Sequence, residues 1–165
     1  MKEDRMGVST NGILVYGIPF PEEYVFPWND ESDSEPEEWW LKHLGYTPPF
    51  EIYEDGEYIN GVRPPDRMVD EYYNHRMDFL KKNPLPVSIE IHCSCDYPMY
   101  FVTLKHLVQT SHRGYPSIVN MGCLSVPDQD KKTIIDFCEK YLKPMNDYDE
   151  FPEMEPKLYL ASLWC

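Results

Sequence analysis

The stretch from Val87 to Leu107, VSIEIHCSCDYPMYFVTLKHL, constrains the fold more than any other. Val87, Ile89, Ile91 and Cys93 alternate with Ser88, Glu90 and His92, the period of a strand with one buried face. Met99 to Leu107 is a second strand of the same quality, and the five residues SCDYP between the two are of turn-forming type. Two such runs joined so closely read as an antiparallel hairpin, which sets a largely antiparallel sheet as the frame for the rest of the chain.

The other elements fit around that hairpin. Asn11 to Phe20, NGILVYGIPF, is apolar and β-prone, and Lys157 to Trp164, KLYLASLW, reads as a final strand. A short hairpin pairs Phe50–Tyr53 with Tyr58–Val62 across Asp55-Gly56, with Asn60-Gly61 a further turn signal. Met68, Val69, Tyr72, Tyr73, Met77 and Leu80 recur at helical spacing from Asp66 to about Lys82, and Pro84 prevents continuation. Ile134, Ile135, Phe137, Cys138, Tyr141 and Leu142 make a stripe in a helix from Pro127 to Leu142. Gln109 to Pro116 reads as a loop, and Ser117 to Val126 fits either a loop or a short strand. The sum is about four to six strands and about three helices: an α+β fold in a single domain over residues 1–165, with an acidic loop inserted at 21–38.

The insertion is the most unusual feature. PEEYVFPWNDESDSEPEE carries eight acids, Glu22, Glu23, Asp30, Glu31, Asp33, Glu35, Glu37 and Glu38, and no base. Such a run repels itself and favours an open, solvated loop. It ends in a helix start: Ser34 is the expected N-cap, Pro36 lies in the first turn, and Glu37 completes a capping box. Trp39, Trp40, His43 and Leu44 supply an apolar side, and Gly45 the stop. The bland reading is a solubilising insertion. The functional one is a docking surface, because Tyr24, Phe26, Trp28 and Trp39 place aromatic anchors among the acids.

Charge narrows the partner. The net charge is −14, and the paired lysines Lys81-Lys82 and Lys131-Lys132 stand alone, so direct nucleic-acid binding is not expected, whereas a partner with a basic surface is. No apolar run approaches a membrane span. The beginning, MKEDRMGVS, has no apolar signal region, and the five cysteines lack the spacing of a disulfide framework, which together imply reduced thiols in the cytoplasm.

No stretch identifies a reaction. Cys93-Ser94-Cys95 lacks the two-residue gap of a zinc knuckle, Cys123 and Cys138 are isolated, and strand alternation sends His92 and Cys93 to opposite faces. No metal and no cofactor is therefore expected. His92-Cys93-Ser94 matches one element of two-histidine phosphoesterases, but the second copy is missing. Asp66, Asp70 and Glu71 read as a solvated helix face, and Asp128 and Asp130 as helix-dipole partners. The remaining enzymatic or ligand-binding alternative is a pocket at the 87–107 hairpin, formed by His92, Cys95, Asp96, Tyr97 and His106.

Three segments together, NGILVYG, HCSCDYPMY and LYLASLW, resemble small proteins of tailed bacteriophages and prophages. The resemblance spans most of the chain and transfers no catalytic residue. It implies a cytoplasmic accessory protein that acts on the host, of the kind that inhibits a nucleic-acid-binding or defence protein. With the charge pattern, it leads to a non-enzymatic protein-binding module engaging a basic host protein through Glu22, Glu23, Trp28, Asp30, Glu31, Asp33, Glu35, Glu37, Glu38 and Trp39.

Overall fold

A computed structural model describes residues 10–28, 35–54, 57–94, 98–112, 114–120, 125–143 and 153–164. The fold is α+β. The chain divides into two compact units, one of Met1–Asp30 with Pro86–Cys165 and the other of Glu31–Leu85.

The first unit is built on four strands: β1 (Thr10–Phe20), β4 (Ser88–Ser94), β5 (Pro98–Ser111) and β6 (Lys157–Trp164). They close into a ring in the order β1-β5-β4-β6. Three of the four pairings are antiparallel, as the hairpin implied. The ring shuts where the ends of β4 and β6 run parallel over Cys93↔Leu163 and Ser94↔Trp164. Strand order was not derivable from sequence, because closure depends on pairings between segments far apart in the chain. β5 also runs on to Ser111, so residues 109–111, expected in a loop, belong to the sheet. They stay paired because β1 is long enough to reach them, Gly12 lying opposite Ser111.

Alternation sorts side chains between the two faces. On one face Ile13, Val15 and Phe101 are buried together with Val108, Tyr159, Ala161 and Leu163 packed against them. On the other, Ile18 and Phe20 pair with Val102 and Tyr100 across β1 and β5. That second face is covered by helix α3 (Asp128–Phe137) and the single π-helical turn Cys138–Leu142, which bury Ile134, Phe137, Cys138 and Leu142. The β1–β5 register slips between Val15↔Val108 and Gly17↔Thr103. There the Thr103 hydroxyl, fully buried, donates to the Tyr16 carbonyl at 2.6 Å and replaces the interrupted ladder.

The first part of the acidic stretch, residues 21–28, departs from its expected openness. Tyr24, Phe26 and Trp28 are buried. Phe26 stacks on Trp28 with centroids 4.6 Å apart and meets Phe20 and Tyr100 at 5.2 and 5.3 Å. The Tyr24 hydroxyl donates to the Leu142 carbonyl at 2.9 Å. Burial of three large aromatic side chains outweighs the repulsion between two acids that stay in water: Glu22 and Glu23 are exposed while Tyr24, Phe26, Pro27 and Trp28 turn inward.

The second unit holds α1 (Pro36–His43), a two-residue hairpin of β2 (Tyr53–Glu54) and β3 (Glu57–Tyr58), a 3-10 turn (Ile59–Gly61) and α2 (Asp66–Lys82). The N-cap of α1 is Glu35 rather than Ser34, without a side-chain capping bond, and Pro36 takes the first helical position. Gly45, at φ 69°, supplies the left-handed stop. Trp40, Leu41 and Ile52 are buried, and the Trp40 indole N–H donates to the Asn83 carbonyl at the end of α2, at 3.1 Å. α2 has the bounds its periodicity predicts but buries no residue fully; Met68, Tyr73 and Met77 of the expected apolar stripe are exposed.

Candidate functional site

The acids of the proposed docking stretch fall into three groups. Glu22 and Glu23 lie exposed in the turn after β1, in the first unit. Asp30, Glu31 and Asp33 lie outside the described residues. Glu35, Glu37 and Glu38 stand at the start of α1 in the second unit, where negative charge is favoured by the helix dipole. Glu22, Glu23, Glu35 and Glu37 have no cationic partner among the described residues; Glu38 does, its carboxylate receiving the Arg76 guanidinium at 2.7 Å.

The aromatic anchors separate in the same way. Trp28, 3% exposed, belongs to the core of the first unit and offers no surface to a partner. Trp39 is half-buried. It stacks on His43, one helical turn on, at 5.4 Å and lies 6.0 Å from Trp40, whose ring also stacks on His43 at 5.6 Å. Trp40 points into the unit, so its neighbour Trp39 is carried toward the rim, one helical turn on from Glu35.

Beneath that rim α1 and α2 share a polar cluster that the sequence did not reveal. Arg76 joins Glu38, and Tyr46 hydrogen-bonds His75 Nδ1 at 3.1 Å. Arg76 Nε is buried and unpartnered among the described residues. Burial raises the Tyr46 and Tyr72 phenols above their usual range, the Tyr72 phenol adding to it at Tyr46 and the Glu38 carboxylate at Tyr72, while Arg76 pulls both down. An open groove lies on α2 alone, lined by Arg67, Asp70, Glu71, Asn74 and His75, and its mixed charge singles out no ligand class.

The alternative pocket residues do not all come together. Cys95, Asp96 and Tyr97 lie outside the described residues. His106 is exposed and bonds Asp130 of α3 at 2.8 Å. His92 is 8% exposed, and burial pushes its pKa below the ordinary value, which keeps the ring neutral. Its cross-strand partner is Met99, seven residues and roughly 20 Å of strand from His106.

One expectation about this hairpin is overturned. His92 and Cys93 do not point apart: Cys93 Sγ lies 3.0 Å from His92 Nδ1 and donates to Met99 Sδ at 3.3 Å. The cause is the Cys93 backbone, which at φ 71° leaves the extended region and breaks the alternation. Met99 is not among the sequence candidates: a five-residue turn over 94–98 sets it opposite Cys93, whereas the register sets it opposite His92 and Pro98 opposite Cys93.

Among the described residues no group of three or more His, Cys, Asp or Glu is placed to hold a metal ion, and no helix is long and apolar enough to cross a membrane. Comparison with known proteins finds no matching family model, no matching curated protein and no matching solved structure.

Proposed function

We propose that the chain is a non-enzymatic protein-binding module that docks a partner with a basic surface through the start of α1. The observation that carries this reading is a half-buried Trp39 in the same short helix start as the exposed Glu35 and Glu37, which have no cationic partner among the described residues. An aromatic side chain held in place by packing, beside charges awaiting a counter-charge, is the composition of a binding hot spot. The net charge of −14 supports the sign of the partner. Duplex DNA carries one charge per roughly 1.7 Å of axis, so a cluster this small suits local docking rather than mimicry of a long duplex. The resemblance to phage accessory proteins supports a host cytoplasmic partner, a nucleic-acid-binding or defence protein that the module inhibits.

The test is capture of partners from bacterial lysate at low and high salt, read by mass spectrometry, with wild type beside a Glu35→Gln/Glu37→Gln variant. Glu38 is left alone because it holds Arg76. The expected result is one basic protein that wild type captures at low salt and loses at high salt, and that the variant fails to capture with its circular dichroism unchanged. Equal capture by the variant rejects the reading.

A further inference from the structure

The end of β4 gathers three soft donors from both strands of the hairpin. Cys93 Sγ is the hub, 3.0 Å from His92 Nδ1 and 3.3 Å from Met99 Sδ. The thiol gives its one weak proton to Met99 Sδ, and its sulfur can accept the Nδ1–H of His92, so both contacts centre on one sulfur. The backbone bears a cost: φ 71° at a cysteine, a residue without the freedom of glycine, is strained, and strain of that kind collects at binding and functional sites. The imidazole is also held from outside the cluster, its ring 4.4 Å from that of Phe101 in the buried core.

We propose that His92, Cys93 and Met99 form a three-coordinate site for a soft monovalent cation, copper(I). Thiolate and thioether sulfur with one imidazole is the donor set that selects this ion, whereas a closed zinc site needs a fourth ligand. Charge agrees. One thiolate neutralises one monovalent cation, while a divalent ion would leave a net positive charge in a half-buried place. On binding, the Cys93 S–H bond breaks, a sulfur–copper bond forms and the proton leaves to solvent; copper keeps its oxidation state, so no electron acceptor is required. Donors about 2.2 Å from a central ion stand roughly 3.8 Å apart, taking zinc bond lengths as the scale. The two observed distances therefore open by less than about 1 Å, the flexible methionine accommodating the sulfur–sulfur distance and rotation of the Cys93 and His92 side chains the other. Ligation at Nδ1 replaces its contact with Cys93 Sγ and leaves Nε2, unpartnered among the described residues, to carry the ring proton. The site lies in the first unit and does not rest on the docking surface of α1.

The experiment is anaerobic titration of the reduced full chain with copper(I) in competition with a chromophoric copper(I) chelator, followed by X-ray absorption at the copper edge. The expected result is one tightly held equivalent with two sulfur neighbours and one nitrogen. Met99→Leu, which conserves volume, loses at least tenfold in affinity and one sulfur neighbour. Cys93→Ser loses the equivalent altogether, and Cys95→Ser keeps it. Absence of stoichiometric binding by wild type overturns the proposal. So does wild-type affinity in Met99→Leu, or retention in Cys93→Ser with loss in Cys95→Ser. Circular dichroism of each variant separates loss of the site from loss of the fold.

Discussion

Gly17 on β1 lies so close to β5 that a Cβ added to it would stand 2.5 Å from the Val102 carbonyl oxygen and 3.0 Å from Thr103 Cβ. Both obstacles are parts of a packed sheet, and the position adjoins the register slip where Thr103 satisfies the Tyr16 carbonyl. Gly17→Ala is therefore expected to cost about 2–3 kcal/mol by forcing the two strands apart. That corresponds to a fall in Tm of roughly 5–10 °C for a chain of this length. Gly12 on the same strand is the control: its added Cβ meets nothing nearer than 4.0 Å, and Gly12→Ala should move Tm by less than about 2 °C. Equal effects of the two substitutions in a thermal melt would show that the close approach at Gly17 is not a packing constraint.

The bond from the Tyr24 hydroxyl to the Leu142 carbonyl links residues 118 positions apart in sequence and is buried. Tyr24→Phe keeps the aromatic packing on Phe20 and Phe26, at 4.6 and 4.7 Å, and removes only the donor. The carbonyl it served, in the π-helical turn, is left inside the protein. The expected cost is about 1–2 kcal/mol. It should be read from urea unfolding as a lower midpoint with an unchanged slope. An unchanged midpoint would mean that the carbonyl finds another donor.

The acids of α1 separate by what they touch. Glu38 holds Arg76 at 2.7 Å, with the arginine side chain only 20% exposed, whereas Glu35 and Glu37 are exposed. Glu38→Ala should destabilise the second unit by about 1 kcal/mol, the upper end for a pair that remains partly in water. Glu35→Ala and Glu37→Ala should each fall within about 0.5 kcal/mol of wild type. Chemical denaturation of the three single variants measures this, and a uniform effect across them would contradict the division of structural from exposed acids.

The readable parts of the chain were those with a local cause. Helical spacing and a favourable lysine pair set α2 at Asp66–Lys82, and alternation with a turn-forming link set the β4–β5 hairpin. Closure of the ring had no local cause, since β6 joins β1 across most of the sequence. Trp28 follows the apolar pattern around it and not the charge. Tyr24, Phe26 and Trp28 repeat every second residue, the mark of a segment lying on an apolar surface, and the acids around them did not alter that. Cys93 departs from a pattern instead: its positive φ ends the alternation that the residues before it set.

Cys138 offers a test of the packing of α3 that the thiol itself reports. It is fully buried between α3 and the sheet, and burial first, then the Glu139 carboxylate, push its pKa from about 9 up to about 12. Below pH 9 the thiol holds its proton in the folded and unfolded states alike, so its contribution there is constant. Between about pH 9 and about pH 12 the unfolded chain has released the proton and the folded chain has kept it. Rising pH therefore favours unfolding across that window, by about 1.4 kcal/mol for each pH unit at full separation. Tyrosines and lysines titrate in the same range, so the relevant quantity is the difference in slope between wild type and Cys138→Ala. Wild-type stability should fall more steeply between pH 9 and 11, even if the variant starts lower because of its cavity. Parallel pH profiles for the two proteins would mean that the folded thiol ionises as readily as the unfolded one, and that α3 does not seal the second face of the sheet from water.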